Sequence, residues 1–254
     1  MSKTFIVGNW KMNPETEHKA LELFTMVAKG VENLQKIEVA ICPPFVHLPN
    51  LPHGRYKISI GAQDCFWETK GAFTGEVSPS MLKSLGCSYV ILGHSERKNY
   101  LGETIEMINK KLHAVLEASL TPIVCVGEKE RSSENNQRQL QKQLEALLKG
   151  MESSQEVRKI VLTYEPEWAI STTEGAEPAS PQRIRQSLFS IRAVLDTMFG
   201  KGTGENIRIL YGGSVNRKNI KEFIEEGKAQ GALVGSASLD AKEFISLVKN
   251  ARVG

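Results

Sequence analysis

No apolar run in this chain approaches the roughly 20 residues that a membrane-spanning helix needs. The opening MSKTFIVGNWKMN holds too short an apolar run for a signal peptide, so an export leader is not expected either and a cytoplasmic location is. Cysteine is sparse: Cys42, Cys65, Cys87 and Cys125 lie far apart and form no CxxC pair, which removes the paired-cysteine motifs. They sit in or near apolar segments, where cysteine is expected as a buried, reduced thiol. Charge is close to balanced, 32 Lys and Arg against 29 Asp and Glu for a net +3, with no basic stripe and no interleaved aromatic patch. That argues against nucleic acid while mildly favouring small anions. No linker is visible. The polar stretch SSENNQRQLQKQ at 132 to 143 runs directly into the helical pattern of Leu140, Leu144, Leu147 and Leu148, so residues 1–254 are expected to form a single domain.

What the chain has instead is recurrence. Short apolar runs appear as TFIVGN at 4, IEVAICPP at 37, ISIGAQD at 58, YVILGH at 89, PIVCVGE at 122, IVLTYE at 160, IRILYGG at 207 and ALVGSAS at 232. Most of the gaps carry helical periodicity, such as Ala20, Leu21, Phe24, Val27 and Val31, or Ile184, Leu188, Ile191 and Leu195. Continuous apolar strands alternating with helices imply a parallel sheet covered on both faces. Eight such units suit a closed (β/α)8 barrel of the α/β class, which leaves no exposed edge; an open doubly wound sheet is the alternative. In either architecture, chemistry belongs to the loops after the C-terminal ends of the strands.

Side chains two apart along a strand share a face. Phe5, Val7, Asn9 and Lys11 form one such set, Val90, Leu92 and His94 a second, and Val161, Thr163 and Glu165 a third. Alternation does not by itself say which set faces inward. The convergence of a carboxylate, an imidazole and an ammonium at one mouth favours inward for all three.

The motifs GNWKMN at 8, GAFTGE at 71, GHSERK at 93, VCVGE at 124, YEPEWAI at 164, YGGSV at 211 and LVGSAS at 233 together resemble the triosephosphate isomerase family, in order and over essentially the whole chain. The resemblance implies a TIM barrel that interconverts dihydroxyacetone phosphate and D-glyceraldehyde 3-phosphate through an enediolate, as a cytoplasmic glycolytic and gluconeogenic isomerase. It implies no cofactor and no metal, and usually a homodimer.

Moving a carbonyl between adjacent carbons needs a base, a donor to the enediolate oxygen, and return of the proton to the other carbon. Glu165 ends a strand before Pro166, and the matching glutamate of the family is the base. Glu167, beyond the proline, reads as a solvent-facing lid residue. His94 precedes Ser95, which can cap a helix whose N-terminal partial charge keeps the ring neutral and able to donate. The other histidines carry no polar constellation. Lys11 supplies a fixed positive charge, Asn9 can donate to a substrate oxygen, and Glu96 resembles the family's buried glutamate near that lysine. Backbone N–H groups at the turns GGSV, with Ser214, and GSAS, with Gly235 and Ser236, are expected to hold the phosphate after the last two strands.

Trp168, Ala169 and Ile170 are expected to form the apolar tip of a lid, with Ser171 offering its N–H to the phosphate and Tyr211 and Ser214 latching the closed loop. The lid departs from the family: Ser171 and Thr173 stand where glycines are common, and the stretch before Pro181 runs longer. Ser236 also replaces a usual glycine, which requires a negative φ there, and Lys98 stands where arginine is common. The stretch GAQDCFWETKGAFTGEVS at 61 to 78 resembles the family's long third loop, which enters the partner subunit. Phe66, Trp67, Phe73 and Thr74 would then belong to a homodimer interface, the alternative being a loop packed on its own barrel. A metal-dependent epimerase or a Schiff-base aldolase would need a metal cluster or a lysine ending an inner strand, and neither is seen. The remaining rival is a catalytically silent phosphosugar-binding barrel.

Overall fold

The structure is a computed structural model describing residues 3–131, 136–170 and 178–252. Its strands are β1 Thr4–Asn9, β2 Ile37–Cys42, β3 Ser59–Ala62, β4 Tyr89–Leu92, β5 Thr121–Val126, β6 Val161–Tyr164, β7 Arg208–Tyr211 and β8 Gly231–Val234. The helices are α1 Glu17–Val31 after β1; α2 Pro79–Ser84 after β3; α3 Ser95–Leu101 and α4 Ile105–Glu117 after β4; and α5 Asn136–Leu147 and α6 Ser154–Val157 after β5. α7 Pro181–Phe199 and α8 Thr203–Asn206 follow β6, α9 Ile220–Glu225 follows β7, and α10 Ala241–Asn250 follows β8. Each strand pairs in parallel with the next, and β8 closes on β1 with Gly8 opposite Val234. The expected (β/α)8 TIM barrel is therefore the observed one. All eight C-terminal strand ends meet at one rim.

The strands are apolar throughout because both of their faces are buried. Phe5, Val7, Ile91, Ile123, Val161 and Leu210 belong to the packed interior of the barrel. Their neighbours Ile6, Val90, Leu92, Val124, Leu162 and Ile209 pack outward against the helices. The inward reading thus holds for β1 and β6 and fails for β4, where Tyr89 and Ile91 are the inner residues and Val90 and Leu92 the outer ones. His94 reaches the mouth by another route: β4 stops at Leu92, and Gly93, at φ +67°, turns the chain through the left-handed region open to glycine. Lys11 likewise does not prolong β1, which ends at Asn9; its own φ is +53°.

The helices form where their apolar faces meet this cylinder. Ile184, Leu188, Ile191 and Leu195 are the buried stripe of α7, and α1 buries Ala20, Phe24, Val27 and Val31, while Leu21 lies outside its stripe at 39% exposure. Hydroxyl and carboxylate caps start them: Thr16, Thr104, Ser180 and Asp240 each accept from a backbone N–H in the first turn, and Ser180 is followed by proline at the first helical position. All four cysteines are free and buried, and burial pushes the Cys87 thiol up to about 11. His47, His53 and His113 each bond a backbone carbonyl through Nε2, as the unremarkable reading of them requires. No helix among the described residues is long and apolar enough to cross a membrane.

One buried cluster ties the chain after β3 to the helices after β4. Lys111 of α4 donates to both oxygens of Asp64, at 2.8 and 3.0 Å, and to Glu103, while Arg97 of α3 reaches Asp64 at 2.9 Å and Glu103 at 3.4 Å. Burial, ahead of the opposing charge of Lys111, raises the Asp64 carboxyl above the usual carboxylate range. Removing one ion from such a cluster leaves uncompensated charge in a dry place. Lys111→Met is therefore expected to lower unfolding free energy by about 3–5 kcal/mol, measured by urea titration at fixed protein concentration. A loss below about 1 kcal/mol would mean that the two carboxylates rehydrate freely.

Candidate active site

The rim brings together Asn9 from the end of β1, His94 and Glu96 after β4, Glu165 after β6, Ser214 after β7, and Gly235 and Ser236 after β8. Glu165 is 1% exposed and follows directly on β6, its backbone N–H donating to the Val126 carbonyl at 2.8 Å. Three donors converge on its carboxylate. The Ser95 N–H donates to Oε2 at 3.0 Å, the Ser95 hydroxyl to Oε1 at 3.2 Å, and His94 Nε2 lies 3.1 Å from Oε1. The Cys125 thiol beside it is driven well above the ordinary thiol range, first by burial and next by the charge of Glu165. Room for this packing comes from Gly127, where a side-chain carbon would stand 2.0 Å from the Glu165 carbonyl oxygen.

The cap of α3 differs from the expected one. Ser95 is the first helical residue, and the capping group is His94 itself, whose Nδ1 accepts the Glu96 N–H at 3.3 Å. A ring nitrogen that accepts has no proton, so with this contact an uncharged ring carries its proton on Nε2, facing Glu165. Helix geometry therefore selects the tautomer as well as the position of the ring.

Lys11 Nζ lies 2.6 Å from Glu96 Oε1, which joins the two as expected, but the Glu96 side chain is 31% exposed and not buried. Its left-handed backbone is held from both sides: Asn9 Oδ1 accepts the Lys11 N–H at 3.0 Å, and Gln63 Nε2 donates at 2.8 Å to the Lys11 carbonyl and at 2.8 Å to that of Cys42. Asn9 is buried, and its carbonyl accepts the Ser238 hydroxyl at 3.3 Å. Gly235 lies against the lysine, a side-chain carbon there being 3.2 Å from Lys11 Cε. Ser236 is exposed, and its φ is outside the positive range, as a serine requires. Ser214 spends its N–H on the Ala169 carbonyl at 2.8 Å, and the Tyr211 hydroxyl accepts the Ala179 N–H at 3.3 Å. Ser171 and Thr173 lie outside the described residues.

One expectation is corrected. Glu167 does not face solvent: it is 9% exposed, with Oε1 at 3.2 Å from Lys98 Nζ and Oε2 accepting from Asn99 Nδ2 at 3.0 Å. Lys98 is accordingly committed to this pair. Trp168, Ala169 and Ile170, the expected lid tip, are packed on the barrel: Glu167–Ala169 is a short 3-10 turn, Ala169 and Ile170 are buried, and the Trp168 indole donates to Glu128 at 3.3 Å. A chain segment leaving a buried strand keeps its first apolar residues packed on the body it leaves.

The buried Glu128 was not anticipated, nor was Gln63. Glu128 accepts from the Tyr164 hydroxyl at 2.8 Å as well as from Trp168. Both follow a strand end directly or by one residue, and Gln63 shares the inward parity of Gly61, so rim position could have found both and parity Gln63 alone. Among the described residues no group of three or more His, Cys, Asp or Glu could hold a metal ion.

Comparison with known proteins points the same way. A family model described as "Triosephosphate isomerase" matches residues 4–251. The triosephosphate isomerase of Moorella thermoacetica is 46% identical over 253 residues, covering 98% of each chain, and that of Citrifermentans bemidjiense is 43% identical, covering 98% of this chain and 99% of its own. The crystal structure of triosephosphate isomerase from Bartonella henselae superposes with a TM-score of 0.85 at 32% identity, covering 99% of this chain and all of the other.

The tautomer can be tested directly. Nitrogen-15 NMR of His94 at neutral pH is expected to show a protonated Nε2 and an unprotonated Nδ1. Protons on both nitrogens, or on Nδ1 alone, would contradict the capping geometry.

Proposed function

This chain belongs to the triosephosphate isomerase family and interconverts dihydroxyacetone phosphate and D-glyceraldehyde 3-phosphate, and on that premise we propose that Glu165 is its base, with His94, Lys11 and Asn9 acting on the substrate oxygens. The observation that carries this assignment is the meeting at one rim of a buried carboxylate, an imidazole whose Nε2–H lies 3.1 Å from it, and a lysine held by Glu96. Glu165 takes a proton from one carbon and returns it to the neighbouring one. The proton on His94 Nε2 donates to the enediolate oxygen, and a neutral ring can pass protons between the two oxygens. Lys11 offsets the charge that develops there, with Glu96 aiming its ammonium. Because Asn9 Oδ1 is committed to the Lys11 N–H, its Nδ2 is the end that can donate to substrate.

The Glu165 carboxylate rests on Ser95, so its working motion is a side-chain rotation away from that hydroxyl and N–H toward the substrate carbon. The phosphate falls to the backbone of Gly235 and Ser236 and to Ser214, whose N–H becomes available when the Ala169 carbonyl moves away, with Ser171 as the expected contribution from the lid. The ordering of charge around one small anion accounts for the chemistry with protein groups alone.

We further assign a homodimer. Exposed apolar residues follow the ends of four successive strands: Met12 (92%) after β1, Val46 (75%) after β2, Phe73 (42%) and Met81 (51%) after β3, and Tyr100 (80%) and Leu101 (65%) after β4. Their strands are neighbours in the barrel, and exposed apolar residues gathered after adjacent strand ends support an interface on that side. Phe66 stacks on Trp67 at 4.0 Å and meets Phe73 at 4.7 Å, which gives the protruding loop a stiff aromatic stem. Four buried free thiols suit a reducing, cytoplasmic setting.

In a coupled assay of glyceraldehyde 3-phosphate isomerisation, Glu165→Gln is expected to lower kcat about a thousandfold, within the range a positioned general base supplies. Retained turnover would move the base elsewhere. Replacing Phe73 and Thr74 by glutamate is expected to give weakly active monomers in sedimentation velocity, and a fully active dimer would reject the interface.

A further inference from the structure

The segment after β6 is fastened to α3 at two levels, one on each side of Pro166. At the first level His94 and Ser95 hold Glu165. One turn further along the helix, Lys98 and Asn99 take the two oxygens of Glu167 separately, at 3.2 and 3.0 Å. The lysine and glutamate side chains are 19% and 11% exposed, so the pair is largely shielded from water and is worth more than a surface bridge. Between the levels lies a single residue with φ −65°, fixed by its ring. Backbone bonds from Glu165 N–H to Val126 and from Glu167 N–H to Glu128, at 2.8 and 2.9 Å, hold the other side. A shift of Glu167 therefore passes to Glu165 through one rigid link.

We propose that Lys98, Asn99 and Glu167 form a positioning clamp for the base: they fix the angle at which Glu165 leaves the barrel, so that only its side chain moves between Ser95 and the substrate carbon. The clamp touches no reacting atom and acts through Pro166. It rests on the reading of Glu165 as base. Since small misplacements of a base are costly while the phosphate is gripped by the turns after β7 and β8, losing the clamp should reduce kcat and leave KM nearly unchanged.

The test compares Lys98→Met, Lys98→Arg, Glu167→Gln, the Lys98→Met/Glu167→Gln pair and Asn99→Ala in the intact protein, with Glu165→Gln alongside. Lys98→Met is expected to lower kcat about tenfold, a small fraction of what complete loss of orientation costs, with KM within about twofold. Its isotope effect on kcat with substrate deuterated at the transferred position should rise, because proton transfer has become slower. Lys98→Arg should recover most of the loss, and the pair should be no worse than Lys98→Met, as expected of residues acting together. Asn99→Ala keeps every charge and should lie between, which preserves the test if Lys98→Met folds poorly. Unchanged kcat in Lys98→Met and Asn99→Ala, or losses in kcat and KM together with no change in isotope effect, would overturn the clamp. Turnover surviving in Glu165→Gln would instead overturn the assignment of the base.

Discussion

The arrangement at the rim depends on what the first turn of α3 does to Glu165. A carboxylate at 1% exposure needs donors on the spot, and the Ser95 N–H, the Ser95 hydroxyl and His94 Nε2 supply them within 3.2 Å. The same turn uses His94 Nδ1 to satisfy a backbone N–H that the helix leaves unpaired, and so decides which nitrogen of the ring carries the proton. One local structure thereby fixes the position of the Glu165 carboxylate, the ring of His94 beside it, and, through Glu96 one residue on, the aim of Lys11.

Lys11 shows how much backbone strain the rim tolerates. A lysine at φ +53° is in a region that residues with a Cβ enter at a cost, and it is kept there by hydrogen bonds from both flanks, the Asn9 side chain on its N–H and Gln63 on its carbonyl. Gln63 also holds the Cys42 carbonyl, so the ammonium is registered against the ends of β1, β2 and β3 together. The lysine is thus placed by the rigid parts of the barrel and not by its own flexible stem.

Much of this was legible in the chain, and the places where it was not share a cause. Strand runs and helix stripes follow from burial on two faces and one face, and the sequence carries both patterns plainly. Strand parity served for β1 and β6 because Asn9 and Glu165 stand at, or directly after, the last paired residue. It misled at β4, because alternation ends with the strand and Gly93 then reverses the direction in which the next side chain points. Glu167 was misread for a related reason: its partners, Lys98 and Asn99, lie on a different element, and a pairing across the fold leaves no trace in local spacing. Gln63 and Glu128 escaped because a lone amide or carboxylate at a strand end looks like ordinary surface until its neighbours are known.

The buried cluster described with the fold gives α3 a second allegiance. Arg97, next to Lys98 in sequence, binds Asp64 and Glu103 while the residues around it hold the two glutamates after β6. Asp64 begins the loop that carries Phe66, Trp67 and Phe73. A seven-residue helix thus holds both the two glutamates after β6 and the loop that carries Phe66, Trp67 and Phe73. Mechanically the two are geared together: a tilt of α3 that eased Arg97 toward Asp64 and Glu103 would also carry Ser95 and Lys98 against the glutamates after β6.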